Sequence, residues 1–164
     1  MATNKVYYIP GTSKTFKNTG GDYVLDMKNV STNTGRVSGQ WDRGTGALPA
    51  LYKWELINKF GSSVTIGNSC RLFMYAYENG STLADIAADT DLTAETQLYN
   101  FKQIGQLIAS SNTVGPFNAS DVVAIYGRYV NFGWWNASGQ TSDNVDGTSY
   151  LVLTPVPDEI QAAS

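Results

Sequence analysis

Histidine is absent from the 164 residues, and cysteine occurs once, at Cys70. The commonest general base, the commonest metal ligand and every Ser-His or Cys-His nucleophile pair are therefore missing. One thiol can form neither an intrachain disulfide nor a cysteine zinc site. Cys70 alternates with Leu72 and Met74 along one face, which reads as a buried structural thiol. Acid–base work would fall to carboxylates. Asp85, Asp89, Asp91 and Glu95 cluster in one stretch, and oxygen ligands of that kind could hold calcium. The spacing does not match an EF-hand loop, and no glycine stands at its sharp turn. A solvated acidic loop is the plainer reading. Asp143-Asn144-Val145-Asp146-Gly147 is first of all a turn, through Asp146-Gly147. A glycosidase pair would need two carboxylates converging across a groove, and no motif announces one. Gly44-Thr45-Gly46 is followed by no Gly-Lys-Ser/Thr, so it is not a phosphate loop. No catalytic set emerges, and the expectation is a protein that is not an enzyme and uses no cofactor or metal.

Aromatic side chains are the other candidates. Arg128-Tyr129-Val130-Asn131-Phe132-Gly133-Trp134-Trp135 is rich in rings but holds one basic residue, too few for stacking on single-stranded nucleic acid. Trp134 and Trp135 are adjacent, so in an extended chain they point to opposite sides. At most one faces the core, leaving the other for solvent, a partner or a ligand. Subunit contact is favoured over a sugar-stacking platform, since aromatics are enriched at interfaces. Tyr7, Tyr8, Trp41, Trp134 and Trp135 are the interface or ligand candidates.

The elements that must position these residues read as strands. In Leu51–Phe60, Tyr52, Trp54, Leu56 and Phe60 alternate with Lys53, Glu55 and Lys59, the pattern of a strand with one face in a core. Arg71–Tyr77 is apolar on both faces, as in a strand buried on both sides or one meeting a partner. Leu98–Ile108, Asp121–Phe132 and Ser149–Thr154 read as further strands, with Trp134–Gly139 as an aromatic turn or strand end. Before residue 49 the strands are shorter: Lys5–Ile9, Ser13–Lys17, an alternating Asp22–Lys28 and a weak Arg36–Asp42. They fit either sheet edges or an arm lying on a neighbouring subunit. Only Thr82–Ala88 has helical character. About eight to ten strands with connections of mixed length favour an all-β, jelly-roll-like antiparallel sandwich. It divides as an extended N-terminal segment (1–48), a sandwich core (49–155) and a C-terminal tail (156–164).

Composition bounds the partners. Charged residues make up 15% and the net charge is −3, so neither the basic footprint of a nucleic-acid binder nor a polybasic membrane signal is present. The first residues carry no apolar run of a secretory signal, and no segment approaches about 18 apolar residues. A soluble product of a reducing cytoplasm is expected.

Several short elements resemble virion structural proteins of tailed bacteriophages. They are Gly35-Arg36-Val37-Ser38 with Gln40-Trp41-Asp42, then Leu51-Tyr52-Lys53-Trp54-Glu55-Leu56, then Arg128-Tyr129-Val130 with Asn136-Ala137-Ser138-Gly139, and finally Tyr150 to Gln161. The resemblance covers about two-thirds of the chain and carries over no catalytic residue. It implies a virion component, most simply a capsid decoration or cement protein that binds across capsomers and stabilises the head. Its partners would be the major capsid protein and further copies of itself, with a trimer expected because capsids offer threefold positions. The alternative is a tail- or fibre-associated module that binds carbohydrate for adhesion.

Overall fold

The computed structural model describes residues 12–45, 48–78 and 89–156. Ten strands and one 3-10 turn make up its regular structure: β1 (Lys14–Phe16), β2 (Thr34–Val37), β3 (Trp41–Asp42), β4 (Leu51–Asn58), β5 (Ser69–Tyr77), β6 (Asp91–Leu92), the turn Glu95–Leu98, β7 (Lys102–Ile108), β8 (Phe117–Ala124), β9 (Tyr129–Ala137) and β10 (Tyr150–Pro155). One sheet runs β1-β10-β4-β8. The other runs β6-β2-β9-β5-β7, with β3 also paired to β9. Every strand pairing is antiparallel. The protein is an all-β, two-sheet sandwich.

The alternation in β4 does what it promised. Tyr52, Trp54 and Leu56 enter the space between the sheets, while Leu51 and Lys53 face solvent. From the opposite sheet come Cys70, Leu72, Met74, Val130, Phe132 and Trp134. Phe16 of β1 meets Phe132 edge-on with centroids 5.0 Å apart, and Trp41 meets Tyr52 edge-on at 5.4 Å. These T-shaped contacts join the sheets with the ring geometry that the aromatic quadrupole favours.

A second, smaller core lies on the outer side of the β2-β9-β5 sheet. Val37, Phe73 and Trp135 are covered there by Leu92, Leu98 and Phe101. The 3-10 turn and the residues around it thus bury both faces of β5 at Leu72, Phe73 and Met74, while Tyr75–Tyr77 stay half-buried.

Elsewhere the structure differs from the pattern. Asp22–Lys28 alternates in burial, with Leu25 and Met27 inside, yet forms no ladder beyond a single bridge from Tyr23 to Phe16. Tyr23 and Leu25 N–H donate across to the Thr15 (3.2 Å) and Lys17 (3.3 Å) carbonyls, while Lys28 N–H turns locally to Asp26 Oδ1 (3.0 Å). The run Asp121–Phe132 is two strands, not one, because Ile125–Arg128 reverses the chain between β8 and β9. Of the two readings of Trp134–Gly139, turn or strand end, the second holds: Trp134–Ala137 is the end of β9, held by β2 on one side and β5 on the other. Within residues 14–42, β1 pairs with β10, and β2 and β3 pair with β9. Lys5–Ile9, Thr82–Ala88 and the tail from 157 onward lie outside the described residues.

Candidate binding cleft

At one end of the sandwich, β3, the loop into β4 and the β8–β9 turn surround an open cleft of about 430 Å³. Arg43 is its organising side chain. Pairing of Trp41 with Val130 and Asp42 with Tyr129 carries the chain to this point. Arg43 N–H then donates to Arg128 O (2.9 Å). The guanidinium donates through Nη1 to the carbonyls of Ile125 (2.9 Å) and Gly127 (2.6 Å), and through Nη2 to Pro49 O. Its carbon lies 5.3 Å from the Tyr52 ring centroid and 6.0 Å from that of Trp41. One cation thereby ties two loops to the core through carbonyl oxygens and ring faces, with no carboxylate in an ion pair with it among the described residues.

Arg128 flanks the cleft. Its Nε and Nη2 meet Asp42 Oδ1 (2.8 Å) and Oδ2 (2.7 Å) in a bidentate pair, while Gly44 N–H also donates to Oδ1 (2.8 Å). The Arg128 hydrogen bond, then the Gly44 N–H, hold the Asp42 carboxyl down to about 2. Arg128 also lies over the Tyr129 ring at 4.8 Å. Tyr129, Tyr77, Tyr75 and Phe101 follow in a row with centroid steps of 5.8, 5.2 and 5.6 Å. Tyr77 is fixed there: its hydroxyl donates to Asn131 Oδ1 (2.9 Å) and accepts from Gln40 Nε2 (2.7 Å). Burial pushes its phenol up from the ordinary value. Gly127 is a glycine because the Tyr77 backbone passes where a Cβ would stand. Beside it, Tyr126 stands 81% exposed, with Glu78, Thr45, Leu48 and Ala50 completing the lining.

The candidates from the sequence are scattered by comparison. Trp134 is 0% exposed in the inter-sheet core, and Trp41 is buried in the same core. Trp135 does point the other way, as adjacency in a strand demands, but into the second core rather than toward solvent or a partner. The expectation that one of the pair would be left free is thus corrected: the 3-10 turn region covers that face. Trp134 is fully buried, and Trp41 and Trp135 are 4% and 5% exposed. Tyr7 and Tyr8 lie outside the described residues. Arg43, Tyr126 and Glu78 were not singled out. The signal available for Tyr126 was the glycine after it, which breaks an otherwise apolar run and marks a turn tip.

Carboxylates are dispersed into ion pairs. Asp91 pairs with Arg36, Glu95 with Arg71, Asp143 with Lys59 (3.0 Å), and Asp146 with Lys28 (2.7 Å). Among the described residues no three acidic or cysteine side chains gather as a metal site, and no helix is long and apolar enough to cross a membrane. Cys70 is fully buried between Asn58 Nδ2 (3.9 Å) and Asn136 Oδ1 (3.6 Å), and burial pushes its thiol up.

The opposite end of the sandwich is closed by a buried polar knot. Asn136 Nδ2 donates to Val30 O (2.9 Å) and Gln140 O (2.8 Å), and its Oδ1 accepts from Ser138 N–H (3.1 Å) and Oγ–H (2.6 Å). Ser142 Oγ accepts from Val30 N–H (2.8 Å) and donates to Met27 O (2.5 Å). Every donor there is spent on holding a loop. No family model matches the chain, and no curated protein matches it in sequence.

Proposed function

We propose that the chain is a non-enzymatic structural protein of a tailed-phage virion, a decoration or cement protein that stabilises the head by contact. The observation that carries this reading is where the chain enters and leaves the sandwich. Ser13 Oγ lies 3.1 Å from Thr154 Oγ1, and Val156 N–H donates to Leu51 O (2.9 Å). Both ends of the described chain therefore stand side by side, at the end that carries the cleft. A rigid double-cored body is held at one end in the way that suits a clamp on a larger surface. The residues behind the virion resemblance support the same reading. Gly35–Val37, Trp41, Tyr129–Val130 and Asn136–Ala137 fall on β9 and on β2 and β3, each of which pairs with it, and Tyr52–Leu56 pairs with Leu151–Pro155. They build the frame instead of converging on a pocket.

The test is light scattering of the purified protein, followed by co-sedimentation with undecorated heads. A defined oligomer that pellets in a saturable ratio supports the proposal. A monomer that ignores heads overturns it in favour of a tail-associated adhesion role, for which a glycan panel read by Trp fluorescence is the next measurement.

A further inference from the structure

The two sheets differ in what lies over their outer faces. Leu92, Leu98 and Phe101 cover one at Trp135, whereas the outer face of the β1-β10-β4-β8 sheet has no such cover among the described residues. Alternation along β4 sends Leu51, Lys53, Glu55 and Ile57 to that face, because Tyr52, Trp54 and Leu56 enter the core. Pairing sets Val152 beside Glu55 and Val122 beside Lys53. Leu51 is 37% exposed and Val122 51%, so apolar area here is still open to water. Lys53 and Glu55 stand in the middle of the face, and neither is in an ion pair among the described residues.

The order Leu51, Lys53, Glu55, Ile57 is complementary to its own reverse. A two-fold axis lying in the face and crossing β4 at Trp54 sets Lys53 of one copy opposite Glu55 of the other, and Leu51 opposite Ile57. An axis along β4 would instead set Lys53 on Lys53 and Glu55 on Glu55, so charge selects the first arrangement. The edges of the sheet suit a second copy less well. β1 is three residues long, and Asp121 of β8 stands opposite Trp54 on the core side, exposed, with Oδ1 taking the Val122 N–H (2.8 Å). A short strand and an inward-turned charge both blunt edge pairing. Strand spacing of about 4.8 Å and a rise of about 3.3 Å per residue give the face roughly 19 by 26 Å, or about 1,000 Å² over two copies, the lower limit for a specific interface. We propose that this face is the contact between two copies of the chain, packed sheet on sheet with their β4 strands antiparallel and Lys53 paired with Glu55 across the axis. The contact is two-fold, not the threefold one expected from capsid geometry. It does not depend on the virion reading, whose deciding outcome is binding to heads.

The test is sedimentation velocity of the full chain over a micromolar to near-millimolar concentration series, compared with Lys53→Glu and Glu55→Lys. Both substitutions change side chains outside the core, so all three proteins should fold. Expected are a monomer–dimer equilibrium for the parent chain and a dissociation constant raised roughly tenfold or more in each variant, which puts like charges across the axis. The two variants mixed in equal amounts should dimerise about as tightly as the parent, because opposite charges again meet at every charged contact. A parent chain that stays monomeric throughout the series overturns the proposal, as does an oligomer other than a dimer. So do single variants that associate as the parent does, and a mixture that associates no better than its components.

Discussion

The six-membered ring of Trp54, from β4, fills the space in which position 105 of β7 would carry a side chain. A Cβ at Gly105 would overlap ring atoms Cζ2 and Cη2. Gly105 sits opposite Leu72 of β5, and the register slips by one residue just beyond it, where Phe73 faces Gln103. The missing side chain lets an indole from one sheet press against the backbone of the other, which closes the sandwich along the β7 and β8 edges.

Gly105→Ala is expected to lower stability by about 1–3 kcal/mol, the range for overpacking a full core. A denaturant titration should show the midpoint falling with its slope unchanged. Trp54→Phe in the Gly105→Ala background should recover part of the loss, because it removes ring atoms from the overlap. Failure of that rescue would place the cost elsewhere.

Arg43→Met keeps the apolar stem and deletes three donations to carbonyls. Hydrogen bonds from charged donors contribute about 1.5–3 kcal/mol each, and these are partly exposed, so a total near 2–4 kcal/mol is expected. The loss should be local as well as global. Exchange of Ile125 N–H, which donates to Ala50 O (2.8 Å), should accelerate before that of the β5 and β9 ladder. Arg43→Lys should recover little, since one ammonium cannot reproduce the fork.

Asn136→Ala leaves the buried Ser138 N–H without its acceptor, while Val30 O keeps the Ser142 N–H and Gln140 O keeps the Ser138 hydroxyl. An unpaired buried group costs about 1–3 kcal/mol. Thermal unfolding should show a larger loss than for Ser13→Ala, whose hydroxyl bond to Thr154 is exposed.

Acid should act through the carboxylates. Asp42 is held to about 2 by Arg128 and the Gly44 N–H, below the unfolded value near 3.9. A depressed folded pKa stabilises above the unfolded pKa and is lost as pH falls toward the folded one. Asp22, Asp143 and Asp146 are lowered in the same direction, chiefly by the Thr15 N–H, Lys59 and Lys28 respectively. The melting temperature should hold above about pH 5 and drop between about 4 and 2. With no histidine in the chain, no step near pH 6 from that side chain is expected. Asp42→Asn should shallow the acid drop, and an unchanged profile would show the Arg128 pair to be inert.

Cys70 has no exposed surface and a raised thiol pKa. A thiol reagent should leave it untouched in native buffer and modify it at the unfolding rate in denaturant. Fast labelling of the native protein would contradict the fold around β5.

What the sequence disclosed depended on whether one face met water. β4 alternates because Lys53 is solvated and Trp54 is not, so period two was plain to read. β5 also declared itself, since a run apolar on both faces needs two covers, although the sequence did not say that the second cover is the turn at Glu95–Leu98. The β8–β9 reversal was hidden because Ile125 is buried at the bend while Tyr126 is exposed at it, so hydrophobicity alone gave no break. The cleft was hidden for another reason. Arg43 acts through carbonyl oxygens of residues 49, 125 and 127, and backbone acceptors leave no trace in residue type.

The side-by-side placement of Ser13 and Thr154 also sets how the domain would bear a load. Tension applied between the two strands that carry these residues would act across the β1–β10 ladder from its open end. Its three residue pairs, Lys14 with Leu153 through Phe16 with Leu151, would then part in succession like a zipper, at low force. Tension between Ser13 and a residue at the Asn136 end would instead shear the sheets along their length, where the hydrogen bonds resist together. A tether at the cleft end would make the domain yield gradually at β1 while both cores stay intact.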